Sequence, residues 1–252
     1  MLLAARPLIS SRINKVRIMK ILITGSSGAI GGAIAHKLLE QGHEIFGIDK
    51  EHNPDLVSQI TCDLSSQSGL EAGLEWIDTS AEYFGALINC AGVTFPSDNQ
   101  FDLQIYYKTM RINLEIPFIL SGALINKAMK SKQPLSIVNI TSLGAHQGFP
   151  DNPSYQVSKA GLSQLTRAIS VDFGKYNIRA NNLVPGYIRT PMTQKSFSDE
   201  TANKARAARS TLKRWGEPTD LLGAVELLIS ESGSFIAGSD IFVDGGWHIN
   251  GF

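Results

Sequence analysis

The chain is short of several things. It has only two cysteines, Cys62 and Cys90, at no spacing a metal would use. Too few for a disulfide scaffold, they read as buried free thiols of a reducing compartment, and a cytoplasmic protein is expected. No charge of either sign is in excess: Lys+Arg and Asp+Glu are both 23, so the formal net charge is zero. That removes binding to nucleic acid through bulk charge. No apolar run is long enough to cross a bilayer, so no membrane partner is expected. No Pro- or Ser-rich linker and no internal repeat interrupts the 252 residues. At 43% apolar and 18% charged residues, one sizeable core is affordable, and a single domain over 19–252 is the economical division.

The first eighteen residues stand apart. They carry Arg6, Arg12, Lys15 and Arg17 and no acid. A disordered or non-native basic leader is the expectation for 1–18, with organelle targeting the alternative.

From Lys20 onward, short β-branched runs alternate with longer helical patterns. The runs are KILIT, HEIFGID, SQITC, GALINC, LSIVNIT, NIRANNLV and DIFVDG. Nearly continuous apolar runs mark strands covered on both faces. In the first helical stretch Ile30, Ile34 and Leu38 recur every fourth residue, and Gly42 stops the pattern. The alternation predicts an α/β fold: a three-layer, doubly wound Rossmann-type sandwich on a seven-stranded parallel sheet.

Between the first strand and helix lies TGSSGAIGG, with Gly25, Gly28 and Gly31. Glycines let a backbone turn sharply and approach a pyrophosphate, and the following helix aims free N–H groups at the anion. A glycine triplet alone is a weak signal; a strand before and an amphipathic helix after sharpen it to a dinucleotide site. The second strand ends in Asp49, where a carboxylate accepts both ribose hydroxyls of an adenosine and repels a 2′-phosphate. Neither Ser26 nor Ser27 is basic, so the turn has no phosphate clamp. NAD(H) is therefore preferred, with NADP(H) tolerable beside Lys50.

SYQVSKAG sets Tyr155 and Lys159 one helical turn apart, after Asn152 as cap and Pro153 in the first turn. A free tyrosine titrates at about 10, and a nearby ammonium favours its phenolate. Ser142 ends the buried run SIVNITS thirteen positions before Tyr155. Pro117 follows Asn113 by four, so the Asn113 carbonyl should lack its helical N–H partner and the helix should kink there.

The spacing T-G-x-x-x-G-x-G, with Ser142, Tyr155-x-x-x-Lys159 and Asn113, resembles the short-chain dehydrogenase/reductase family over about Met19 to Phe252. The resemblance implies a catalytic tetrad. Ser142 would hold the substrate oxygen, Tyr155 would trade the proton, Lys159 would lower the tyrosine pKa and bind the nicotinamide ribose, and Asn113 would link a proton relay to water. It implies cofactor contacts at Gly25, Ser27, Gly28, Ile30, Gly31, Asp49, Asp63, Leu64, Asn89, Ala91, Gly92, Tyr155, Lys159, Pro185, Gly186, Ile188 and Thr190. NCAG departs from the family's N-N-A-G at Cys90. The activity implied is oxidation of a secondary alcohol or reduction of a ketone, in a homotetramer acting on a small molecule. A 3-oxoacyl thioester, steroid, sugar or polyol would all fit. The first ranks ahead because many relatives use it; an NAD preference argues instead for alcohol oxidation. The rival class is an idle nucleotide sensor or scaffold, which loss of the tyrosine, lysine or serine would favour.

Residues 190–215 match the family's variable lid. Its Lys204, Arg206, Arg209, Lys213 and Arg214 read as a solvated helix face, with attraction of an anionic substrate or an acyl carrier as the alternative. His146, Phe149, Tyr187, Met192 and Trp215 are pocket candidates by position, and Asp244 to Trp247 read as structural.

Overall fold

The computed structural model describes residues 18–251. The leader expected over 1–18 thus lies, Ile18 apart, outside the described residues. Seven strands form one parallel sheet in the order β3-β2-β1-β4-β5-β6-β7. They are β1 Lys20–Thr24, β2 Glu44–Asp49, β3 Ser58–Thr61, β4 Ala86–Asn89, β5 Leu135–Ile140, β6 Ile178–Pro185 and β7 Asp240–Val243. The helices between them are α1 Ala29–Glu40, α2 Gln67–Ser80, α3 Leu103–Met110, α4 Ile116–Ser131, α5 Pro153–Phe173, α6 Gln194–Ser198, α7 Glu200–Arg209 and α8 Leu222–Ile229.

Side chains alternate across each strand, so one sheet feeds two apolar layers. Leu22, Leu87 and Ile137 face a cluster completed by Leu120 and Leu124 of α4. Ile21, Ile23, Ile88 and Val138 face the opposite cluster, with Ile34 and Leu38 of α1 and Val225 and Leu228 of α8. The central strands β4 and β5 are buried throughout, as their apolar runs require. The two edge strands, β3 and β7, are only partly covered, because each has a neighbour on one side alone.

The chain winds outward from β1 through β2 to β3, then returns to the middle as β4. That reversal between β1 and β4 is the switch point at whose carboxyl edge open α/β sheets bind ligands. Local signals set the helix starts. Ser66 caps α2, Asp102 caps α3, Asn152 caps α5 and Asp199 caps α7, each accepting a first-turn N–H. Gly42 ends the α1 turn at φ +86°, a conformation costly for other residues. Just before Pro117 the regular helix is interrupted. Residues Arg111–Glu115 widen into a π-helical turn, and the Ile116 N–H reaches back to the Arg111 carbonyl.

Candidate active site

The glycine turn is built for close approach. Gly25 sits at φ +70°, and a Cβ there would lie 2.8 Å from the Ala91 nitrogen. A Cβ on Gly31 would lie 2.1 Å from the Gly25 carbonyl oxygen. The turn therefore closes only with glycine, and it packs directly on the Asn89–Gly92 loop. Gly28 precedes α1 without a side-chain cap, leaving the first N–H groups of that helix for an anion. Asp49 stands at the mouth. One carboxylate oxygen accepts the Ser27 N–H at 2.9 Å and the other the Glu51 N–H at 3.1 Å. That fixes the carboxylate with lone pairs to spare for a diol. The set — a cradle a Cβ would fill, a helix start and a fixed acid — fits a nicotinamide dinucleotide.

Asp63 is exposed beside this mouth, and hydrogen bonds from Ser65 hold its carboxyl below the usual carboxylate range. Leu64, expected beside the adenine, packs its side chain into the core. Ile30 is half-buried and packs on the α1 side of the sheet.

Gly92 joins the cradle to the proton-handling group. Its missing Cβ would lie 3.4 Å from Lys159 Nζ and 3.5 Å from Asn113 Oδ1. Asn113 is fully buried. Its Oδ1 accepts the Val93 N–H, and its Nδ2 donates to the Val93 carbonyl and to Ser158 Oγ. Lys159 Nζ donates to the Ile140 carbonyl at 2.8 Å and lies 5.9 Å from the Tyr155 ring centre. Gly144 spaces the remaining pair: a Cβ there would touch Ser142 Oγ and Tyr155 Cε1, each at 3.6 Å. The four tetrad residues come together although they arise from the β4-side helix pair, the end of β5 and α5.

Burial, not the neighbouring ammonium, is the leading influence on the phenol in this state. Burial raises the Tyr155 pKa above its ordinary value, opposed by the Ser142 hydroxyl. Burial also pushes Lys159 from 10.5 down to about 8. For each group desolvation is the largest cause of the shift. Cys62 and Cys90 are free but half-buried rather than fully buried. The Cys90 thiol is still pushed up to about 12, so no thiolate sits beside Lys159.

On the far side, the Gly186 N–H bonds the Val243 carbonyl, and a Gly186 Cβ would lie 2.7 Å from Asp244 Cα, so Pro185–Gly186 runs hard against the end of β7. Ile188 is buried, and its carbonyl accepts the Thr193 hydroxyl at 2.6 Å. The Thr190 N–H donates to the same hydroxyl, fixing the start of the lid.

Two readings of the lid change. Phe149 and Tyr187 both pack on Trp247, a residue read as merely structural. Trp215 packs on Tyr187 and spends its N–H on the Asn203 carbonyl, while His146 leans on Phe242. Met192 is exposed. Arg206 does not join the solvated face: it turns inward over the Tyr187 ring, 4.9 Å from its centre. Nothing in a run of five basic residues marks one as inward; that follows from α7 docking on the Pro185–Ile188 loop. Among the described residues no cluster of His, Cys, Asp or Glu could hold a metal, and no helix is long and apolar enough to cross a membrane.

A doubly wound sheet with a dinucleotide cradle and a Ser–Tyr–Lys–Asn group at one edge defines a nicotinamide-dependent oxidoreductase. Comparison with known proteins agrees. The family described as Enoyl-(Acyl carrier protein) reductase matches residues 25–248. The 2-dehydro-3-deoxy-D-gluconate 5-dehydrogenase of Escherichia coli K12 is 30% identical, with 90% of this chain and 94% of that protein covered. The 5-keto-D-gluconate 5-reductase of the same organism is 28% identical over like shares of 90% and 94%. The structure of 4-hydroxyisoleucine dehydrogenase complexed with NADH superposes at TM-score 0.84, 32% identity and 90% and 98% coverage. Gluconate 5-dehydrogenase from Burkholderia cenocepacia, in complex with NADP and tartrate, superposes at 0.82, 26% identity and 90% and 95% coverage. The chain belongs to the short-chain dehydrogenase/reductase family and acts on CH–OH groups with NAD(P) as acceptor.

Proposed function

We propose that the protein interconverts a secondary alcohol and a ketone with NAD(H) in preference to NADP(H). The observation that carries this reading is Gly92, which brings Lys159 and Asn113 within van der Waals reach of the loop that closes the glycine cradle. A bound nicotinamide supplies or accepts the hydride. In reduction Tyr155 gives its phenolic proton to the substrate oxygen while Ser142 donates a hydrogen bond to it. Oxidation reverses both steps. The phenol carries its proton at neutral pH, as an ordinary tyrosine does, so it is available as the acid in reduction. Lys159 keeps a charge beside the phenol up to about pH 8 and can turn its donors toward the ribose. Asn113, held on both sides by Val93, anchors the inner end of the proton path.

Asp49 supports the NAD preference, since its fixed carboxylate would face a 2′-phosphate as a like charge. Relatives named for gluconates rank a hydroxy or keto acid above a 3-oxoacyl thioester as substrate. Exposed Phe118, Val157 and Val171 on α4 and α5 support the homotetramer, and the two free cysteines support a cytoplasmic setting.

Separate fluorescence titrations with NADH and NADPH test the cofactor reading, and tighter NADPH binding overturns it. An alcohol and ketone panel followed at the nicotinamide absorbance tests the chemistry, with Tyr155→Phe as control. Turnover surviving that substitution removes the assigned acid.

A further inference from the structure

The loop from β2 to β3, residues 50–57, is exposed except at two positions, where Asn53 and Leu56 turn inward. Leu56 packs on the α1 side of the sheet. Asn53 reaches the glycine turn: its Nδ2 donates to the Ser26 carbonyl at 2.8 Å, a bond closed to solvent. Burying an amide costs free energy unless its hydrogen bonds are made, so this contact is what holds Asn53 inside.

The Ser26 carbonyl belongs to the same peptide unit as the Ser27 N–H, which donates to Asp49 Oδ2 at 2.9 Å. A trans peptide is planar, with its C=O and N–H on opposite sides. One unit of the glycine turn is therefore gripped at both ends, by Asn53 on one side and by Asp49 on the other. It cannot rotate without breaking both bonds. The second oxygen of Asp49 accepts the Glu51 N–H at 3.1 Å, so the loop also holds the carboxylate from its own side.

The loop is itself braced. Asn53 Oδ1 accepts the Asp55 N–H at 3.0 Å, and Gln59 Oε1 accepts the Asn53 N–H at 2.9 Å. Gln59 Nε2 and the Ser27 hydroxyl both donate to the Glu51 carbonyl, each at 2.7 Å. Ser26 is seated against the sheet, for a Cβ on Gly47 of β2 would lie 2.6 Å from its Oγ. The Asp55 N–H needs an acceptor and the Ser26 carbonyl a donor, which sets the orientation of the Asn53 amide.

We infer that Asn53 is a positioning residue for the cofactor: through the Ser26–Ser27 peptide it keeps the Asp49 carboxylate fixed for the adenosine diol. This assignment rests on the dehydrogenase reading and its NAD preference, and places part of that preference outside the glycine turn. Without the Asn53 donor the peptide is free to turn, the Ser27 N–H leaves Asp49, and the carboxylate loses its fixed direction. NADH then loses bonds to its diol. NADPH has no such diol and meets a fixed carboxylate as a like charge, so it loses little. The signature is a change in the ratio of two affinities, whereas a general loosening of the fold weakens both alike.

Paired fluorescence titrations of the full chain with NADH and NADPH test this, with the melting temperature read alongside. Asn53→Ala should weaken NADH binding about threefold to tenfold, the loss of one hydrogen bond, and leave NADPH binding nearly unchanged. On an Asp49→Ala background the same substitution should do almost nothing, because the group it acts through is gone. Asn53→Asp keeps the acceptor for the Asp55 N–H and removes only the donor. It separates the loop's own turn from the grip on Ser26, and it carries the test where the alanine variant does not fold. It should weaken NADH binding at least as much as alanine does. NADH and NADPH weakened by the same factor, full additivity with Asp49→Ala, or unchanged NADH affinity in Asn53→Asp overturns the positioning role and leaves the dehydrogenase reading standing. Failure of the unmutated protein to bind either dinucleotide sinks both.

Discussion

From the central strand β4 out to the edge strand β7, Asn89, Asn139, Asn182 and Asp240 stand in register on four adjacent strands. Toward the carboxyl edge, Lys159 and Trp247 are buried, and Tyr155 and Arg206 half-buried. The first group is answered almost completely. Asn89 donates to Asn139, Asn139 to Thr166, Thr166 to Asn182 and Asn182 to Asp240, at 2.6 to 2.7 Å, and Arg167 closes the row on Asp240. Asn89 Oδ1 is its one orphan. The second group is held but unfinished: a phenol raised by burial, an ammonium lowered by it, and two buried donors, Arg206 Nε and Trp247 Nε1, without an acceptor. The same burial yields rigidity where partners are supplied by the chain and readiness where they are left to a ligand.

That contrast can be broken at four places. The largest effect belongs to Tyr155→Phe. Losing the acid should lower turnover by about 10²–10⁴-fold while leaving NADH binding and the melting temperature nearly unchanged. A large loss of stability instead would place Tyr155 with the answered row.

Lys159→Met should do the reverse for stability. The folded value of about 8 lies below 10.5, so the fold favours the neutral amine. The cost of burying the charge is therefore full below about pH 8 and is relieved between 8 and 10.5. In the cofactor-free protein the substitution should stabilise by about 3 kcal/mol at pH 6 to 7, less about 1 kcal/mol for the Ile140 carbonyl left without its donor. Turnover should vanish. Urea unfolding across pH checks this, and a gain that does not shrink above pH 8 contradicts it.

Thr166→Val attacks the answered row. It keeps the shape but strands Asn139 Nδ2 and Asn182 Oδ1 inside the sheet. The expected loss is about 2 kcal/mol in denaturant unfolding, with kcat preserved. A fall in kcat at unchanged stability would mean that the row serves chemistry and not rigidity.

Asp49→Ala should have the smallest effect. Removing the fixed carboxylate should shift the NADPH-to-NADH affinity ratio upward by about tenfold, ~1.4 kcal/mol. No shift, measured by paired titrations, would detach Asp49 from cofactor choice.

Much of this was legible along the chain. Apolar runs alternating with period-four stripes determined the strands, the helices and their parallel arrangement, because burial on two faces leaves a local mark in the composition of each strand. Gly25 and Gly31 declared a turn that admits no Cβ, and Pro117 declared a broken helix, because backbone limits act within a few residues. Ser142, Tyr155 and Lys159 were visible by spacing. The tertiary structure alone decided what depends on several segments meeting. It set the balance of desolvation and charge at Tyr155 and Lys159, turned Leu64 into the core, chose Arg206 from five basic lid residues to face inward, and left Trp247 without an acceptor. Such outcomes are sums over neighbours brought from distant positions, and no stretch of sequence contains its neighbours.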